Sequence, residues 1–84
     1  MITEDEFYSR IRDRIAAFPA GTELGLVELY GEGWEETGTV GERRNFGKLF
    51  KTAVKEGRFP EVEWVRIENS GRYDVYRING VGNV

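Results

Sequence analysis

The sequence predicts a single α+β domain in which three helices precede a C-terminal β-hairpin. Three observations support this fold class: two apolar stripes with helical spacing, a capping-box motif before each stripe, and two strand-like runs joined by a short turn that contains glycine. A chain of 84 residues holds one hydrophobic core and has no room for a second. We therefore expect one domain over residues 1–78 and a flexible tail over residues 79–84.

The first helix is predicted from its start signal and its apolar stripe. Thr3 and Glu6 have the spacing of a capping box, in which each side chain accepts a hydrogen bond from the other residue's backbone N–H. The apolar side chains that follow recur every three or four residues: Phe7, Ile11, Ile15 and Phe18. Pro19 disfavours helical angles in the residue before it, so we expect this helix over residues 4–17.

The middle of the chain predicts short elements. Residues 22–24 can form a short strand, and the apolar residues between Leu26 and Tyr30 indicate a short second helix that ends near Gly31. The stretch 31–38 is predicted to be irregular, with Trp34 filling a gap in the core.

The third helix has the clearest signals. Thr39 and Glu42 repeat the capping-box spacing, and Gly57 suits the position just after a helix end. The apolar residues between them fall on one face: Phe46, Leu49, Phe50, Ala53 and Val54. We predict this helix over residues 40–56. Gly47 lies inside it at a cost of about 1 kcal/mol relative to alanine, which leads us to expect another helix crossing closely there.

Two strand-like runs follow, over residues 62–68 and 72–78, and the turn Asn69-Ser70-Gly71 joins them as a hairpin. The complete order of elements is that of a winged helix-turn-helix domain, in which the terminal hairpin is the wing. Any small α+β domain with a hairpin packed on a helix would give the same order.

The chain contains no cysteine and no histidine. Disulfides, thiolate nucleophiles, thiolate metal ligands and the commonest general base are therefore all missing. Neither Gly31-Glu32-Gly33 nor Gly47-Lys48 is completed into a nucleotide-binding motif. We expect a non-enzymatic protein that binds no metal and no cofactor.

The predicted location is the cytoplasm, with no contact to a membrane. Residues 1–6 are acidic and lack the apolar stretch of a signal peptide, and no run of residues is long and apolar enough for a membrane span. A small domain without disulfides suits a reducing compartment.

Charge is distributed unevenly along the chain. Residues 1–42 carry ten acidic and three basic side chains, a net charge of −7, whereas residues 43–84 carry five acidic and nine basic ones, a net charge of +4. Projection of the third helix at about 100° per residue gathers four cations opposite its apolar stripe. These are Arg44, Lys48, Lys51 and Lys55, with Arg43 and Asn45 beside them.

This basic stripe predicts nucleic-acid binding, for example by a small regulator or a phage accessory protein. Lysine and arginine neutralise phosphates, and the third helix of a winged helix enters the major groove. Arg72 would contact phosphates from the wing, and Arg66 and Arg77 are further cations of the hairpin. A solvated helix face with ordinary surface lysines would give the same stripe.

An acidic segment supports an alternative function. Residues 22–42 contain no basic residue and six glutamates, which would oppose DNA where they approach it. Four of them form a candidate surface for a basic protein partner: Glu28, Glu32, Glu35 and Glu36. The glutamates could instead pair with the basic stripe of the same chain or of a second copy, so homo-oligomerisation stays open.

Several local sequence features together carry a family resemblance. They are Pro19-Ala20-Gly21, Leu29-Tyr30-Gly31, Trp34, the run from Arg43 to Lys51, and Tyr76-Arg77. With these features the segment from Phe18 to Ile78, about three quarters of the chain, resembles a family of small bacterial and phage proteins known only as a domain of unknown function. The resemblance implies a compact winged-helix-like domain and supplies no established activity or catalytic residue.

Overall fold

A computed structural model describes residues 2–68, 70 and 73–79. Its elements are α1 (Glu4–Ile15), β1 (Glu23–Leu24), α2 (Leu26–Tyr30), a 3₁₀ turn (Trp34–Thr37), α3 (Val40–Lys55), β2 (Val62–Glu68) and β3 (Tyr73–Ile78). The predicted α+β class and the three helices are therefore confirmed. Arg72, the glycine of the predicted turn and the end of the predicted tail, residues 80–84, lie outside the described residues.

The sheet has three antiparallel strands in the order β1-β3-β2, not a hairpin alone. The sequence predicted β1 but gave it no partner; it pairs with β3, where Glu23 lies opposite Arg77 and Leu24 opposite Tyr76. β3 is thereby the central strand. A β-bulge between Trp64 and Arg66 interrupts the pairing of β2 with β3.

Both predicted capping boxes are present, and they fix where the two long helices begin. In α1 the Oγ1 of Thr3 accepts from the Glu6 N–H at 3.1 Å, and the Glu6 carboxylate accepts from the Thr3 N–H at 2.8 Å. Thr39 and Glu42 make the same pair of bonds at α3, at 3.2 and 2.7 Å. α1 ends two residues before the predicted boundary and α3 one residue before it.

The core combines buried side chains of the three helices and the three strands. Phe7 is fully buried at its centre and stacks on Phe46 with 4.8 Å between ring centroids. Trp34 is partly buried and contacts the rings of Phe7 and Tyr30, so it covers the core edge as its predicted role required. The largest fully buried side chains are Tyr76, Phe7, Phe50, Phe59, Ile11, Leu29, Ile78 and Thr37.

Two arginines of α1 hold the C-terminal end of α2. Arg10 donates to the carbonyl oxygens of Tyr30 and Glu32 at 3.1 and 3.0 Å, and Arg14 donates to that of Leu29 at 3.0 Å. The Leu29 and Tyr30 carbonyls have no partner within so short a helix, so the guanidinium groups replace the missing hydrogen bonds. α1 therefore positions the acidic connection between α2 and α3.

Candidate functional site

The exposed face of α3 is basic. Arg44, Asn45, Lys48 and Lys55 are exposed along it, and Thr52 lies among them. The helix contains one acidic residue, Glu42, whose carboxylate accepts from the Thr39 N–H at its start. Four of the residues that the sequence singled out therefore share a solvent-exposed surface without an acidic side chain of the helix in it.

Lys51 and Lys55 are directed towards the sheet as well as solvent. The Nζ of Lys51 lies 3.1 Å from the carboxylate of Asp74 and 5.2 Å from the ring centre of Trp64. The Nζ of Lys55 lies 4.9 Å from the same ring. Cations over an indole ring are attracted by its π-electrons, so this half of the stripe also helps to hold α3 on the sheet.

Arg43 bridges α3 and the acidic connection. It is half-buried, and its Nη1 donates to the carbonyl oxygen of Glu35 at 3.2 Å. The bond fixes the 3₁₀ turn against the first turns of α3. Arg72, predicted on the wing, lies outside the described residues.

The other two arginines of the hairpin are engaged in an ion-pair cluster. Glu23 lies 2.9 Å from both Arg66 and Arg77, Arg77 also lies 2.9 Å from Glu63, and Arg66 lies 3.6 Å from Glu68. Hydrogen bonds from the two guanidinium groups lower the pKa of Glu23, and those to Glu23 raise the pKa of Arg66 and Arg77. An acid of the N-terminal half thus neutralises bases of the C-terminal half.

The candidate acidic residues fall into two groups. Glu28 accepts a hydrogen bond from the Gly25 N–H at 2.9 Å and so caps α2. The other three are exposed and closely spaced on the connection to α3, and none takes part in an ion pair among the described residues: Glu32, Glu35 and Glu36.

A groove of about 820 Å³ lies between α2, α3 and β3. Its lining includes three large apolar side chains that are strongly exposed: Val27 (55%), Val40 (55%) and Tyr73 (46%). Four cations and two anions also line it, namely Arg43, Arg44, Lys48 and Lys51 with Glu28 and Asp74.

Gly47 lines this groove, and no helix of the described residues crosses it closely. Outside the adjacent backbone of α3, a Cβ added to Gly47 would meet no described atom within 4 Å. The expectation of a close helix contact within the chain was therefore wrong, because this side of α3 faces the groove. The sequence carried little signal for it, because Val40 and Gly47 project to the edge of the apolar stripe, in line with the buried Val54.

Comparison with known proteins places the chain in a family. The family model described as domain of unknown function (DUF1413) matches residues 9–77. The chain belongs to this family. The resemblance to a domain of unknown function, predicted from residues 18–78, is thereby confirmed. No curated protein and no solved structure matches the chain. The description of this family assigns no function to the domain.

Two further findings concern metal binding and membrane spans in the described part of the chain. Residues 2–68, 70 and 73–79 contain no cluster of three or more acidic side chains able to hold a metal ion. None of their helices is long and apolar enough to cross a membrane.

Proposed function

We propose that this DUF1413 domain binds nucleic acid as a winged-helix protein and presents the exposed face of α3 to the phosphate backbone. The observation that carries the proposal is the basic surface of α3, from Arg44 to Lys55. The order of helices and strands, with β1 paired to β3 beside the β2–β3 hairpin, agrees with a winged helix. In that arrangement α3 is the recognition helix and the hairpin is the wing.

Arg44, Asn45 and Lys48 are the residues best placed for contact. Arg44 and Lys48 are four residues apart and share one face of the helix, where they can neutralise neighbouring phosphates. Asn45 lies beside them, and its amide can pair with adenine as the guanidinium of Arg44 can pair with guanine. All three are exposed, and none of them makes a side-chain hydrogen bond or ion pair among the described residues.

The acidic segment opposes nucleic acid less than its composition indicates. Glu23 is paired with two arginines, while Glu28 and Glu42 cap helices. Repulsion from the remaining exposed glutamates, Glu32, Glu35 and Glu36, persists near the start of α3. We therefore expect modest affinity that depends strongly on salt.

The experiment is fluorescence anisotropy with labelled double-stranded and single-stranded DNA at low and near-physiological salt. The variant is Arg44→Glu/Lys48→Glu, and the control is Arg12→Glu/Arg58→Glu, which changes the net charge equally on exposed residues outside α3. We expect the α3 variant to bind DNA more weakly, and we expect its affinity to depend less on salt, by the equivalent of about two phosphate contacts. Unchanged binding by the α3 variant, or equal loss in the control, contradicts the proposal.

A second candidate function is interaction with a basic protein through Glu32, Glu35 and Glu36. Their exposure on one connection, held in place by Arg10 and Arg43, supports it. The two functions respond oppositely to Glu32→Gln/Glu35→Gln/Glu36→Gln: this variant should bind DNA more tightly and a basic partner more weakly. Weaker DNA binding by this variant would contradict the nucleic-acid proposal.

A further inference from the structure

We propose that the groove between α2, α3 and β3 is the docking site for an amphipathic helix of a partner protein that carries acidic side chains beside its apolar face. This goes beyond nucleic-acid binding, because it adds a protein ligand at a site next to the basic surface. The groove has a volume of about 820 Å³, and an amphipathic helix that lays its apolar face into a groove is a recurring mode of peptide recognition.

The apolar character of the groove is the first support. Among the described residues, the exposed large hydrophobic side chains are Val27, Val40, Ile67 and Tyr73, and all but Ile67 line this groove. Their concentration in one concave surface differs from the scattered apolar side chains of an ordinary exterior. Burial of these three side chains under a partner would remove apolar surface from water.

The shape of the α3 wall is the second support. Val40, Gly47 and Lys51 lie along one line of the helix, since they are separated by seven and four residues. At about 1.5 Å per residue, this line is about 16 Å long, enough for three turns of a partner helix packed alongside. Gly47 leaves an opening on that line, because no described residue outside the adjacent turns of α3 has an atom within 4 Å of the position its Cβ would take.

Gly47 also has no role inside the fold that would compensate for its cost. Glycine within a helix destabilises it by about 1 kcal/mol relative to alanine. Among the described residues, no packed neighbour requires a missing side chain at this position. A docked partner helix would explain the glycine at position 47, because a large side chain of the partner can reach the α3 backbone only where α3 has no side chain of its own.

Charge determines the chemistry of the occupant. Of the six charged side chains in the lining, Lys51 and Asp74 pair with each other at 3.1 Å, and Glu28 caps α2. The remaining three are all cations on the α3 side: Arg43, Arg44 and Lys48. A partner helix with aspartate or glutamate next to its apolar face complements this wall. Since Arg44 and Lys48 also belong to the proposed nucleic-acid surface, the two ligands would exclude each other.

The test is selection of binders from a displayed library of random 16-residue peptides against the whole protein. We expect enrichment of sequences with apolar residues at helical spacing and with aspartate or glutamate beside them. A synthetic peptide of that type should bind Gly47→Leu, which fills the opening, at least about tenfold more weakly than the parent. Gly47→Ala, which adds one methyl group, should weaken binding less than Gly47→Leu does.

Two further measurements keep the result decisive. Circular dichroism and thermal melting show whether Gly47→Leu is folded. A second variant, Val27→Ser/Val40→Ser, removes apolar surface from the groove without filling it. Both variants should bind the peptide more weakly than the parent and should keep the parent's salt-sensitive DNA binding. Loss of DNA binding in Arg44→Glu/Lys48→Glu tests the proposed function separately.

Several outcomes would overturn the proposal. These are failure to enrich any peptide, enrichment of basic peptides, and equal binding of selected peptides to the parent and to Gly47→Leu. A further outcome that would overturn the proposal is occupation of the groove by nucleic acid. If no peptide is selected and Gly47→Leu no longer binds labelled single-stranded DNA, the groove would be assigned to unpaired bases instead.

Discussion

The indole Nε1 of Trp64 donates a hydrogen bond of 2.9 Å to the carboxylate of Asp74, and the same carboxylate lies 3.1 Å from the Nζ of Lys51. One side chain of β3 thereby joins β2 and α3. Trp64 lies opposite Tyr76 in the sheet, so Asp74 occupies the diagonal position two residues away. As a result, Lys51 is held against the sheet and is less available to a phosphate than Lys48.

Asp74→Asn should strengthen DNA binding slightly and change stability little. The amide oxygen can still accept the Trp64 hydrogen bond, while the ion pair with Lys51 is lost; for a partly exposed pair this costs less than about 1 kcal/mol. Fluorescence anisotropy and urea denaturation measure the two effects. Asp13→Asn is the control, because it removes one negative charge from an exposed site on α1. An equal gain in DNA affinity in both variants would mean that release of Lys51 contributes nothing.

Stability should fall in acid through Glu23. Hydrogen bonds from Arg66 and Arg77 lower its pKa from the ordinary value of 4.5, so the folded state favours the carboxylate. Its contribution is complete above the ordinary pKa and is lost as pH falls through the lower pKa of the folded state. Urea denaturation across this range should show a smaller decline in Glu23→Gln than in the parent. The same pH dependence in both proteins would show that Glu23 does not contribute.

Gly47→Ala should stabilise the protein by about 1 kcal/mol, because alanine is the better helix former and the methyl group meets open space. Gly57 is the matched control. A Cβ there also meets nothing within 4 Å, but the residue has a φ of +83°. Gly57→Ala should therefore destabilise the protein through its backbone alone. Thermal or urea denaturation of both variants checks the opposite signs, and destabilisation by Gly47→Ala would contradict an open groove at that position.

Neutralising the acidic connection separates the two proposed partners. In Glu32→Gln/Glu35→Gln/Glu36→Gln, repulsion of phosphates near the start of α3 is reduced, and we expect tighter DNA binding, most clearly at low salt. Anisotropy titrations over a series of salt concentrations measure it. The control Glu4→Gln/Asp5→Gln/Asp13→Asn removes three exposed charges from α1. An equal gain there would indicate an effect of net charge alone.

Local signals explain why the two long helices were predictable. The hydrogen bonds of a capping box join residues three apart, so Thr3 with Glu6 and Thr39 with Glu42 could be recognised directly in the sequence. Apolar periodicity then defined the buried faces. The predicted ends of the helices were less accurate. After Ile15 the chain makes hydrogen bonds between residues three apart, such as Phe18 N–H to the Ile15 carbonyl, and no pattern of residues predicts where this change occurs.

Non-local contacts were the part that the sequence could not supply. The register of the three strands decides that Arg66 and Arg77 meet Glu23, and it decides that Asp74 reaches Lys51. A projection of α3 grouped the basic side chains but could not show that Lys51 is half-buried and that Lys51 and Lys55 pack over Trp64. The groove beside Gly47 likewise depends on how α2 and β3 are placed, and the sequence-based interpretation of that glycine was wrong.

The pairing of β1 with β3 has a consequence for folding kinetics. The contact between Glu23 and Arg77 closes a loop of residues 54 positions apart, whereas the helices and the β2–β3 hairpin form from near neighbours. Closing so long a loop costs chain entropy that only the completed sheet repays, so we expect β1 to pair late. Interactions made that late are absent from the transition state. They would lengthen the lifetime of the native protein without speeding its formation.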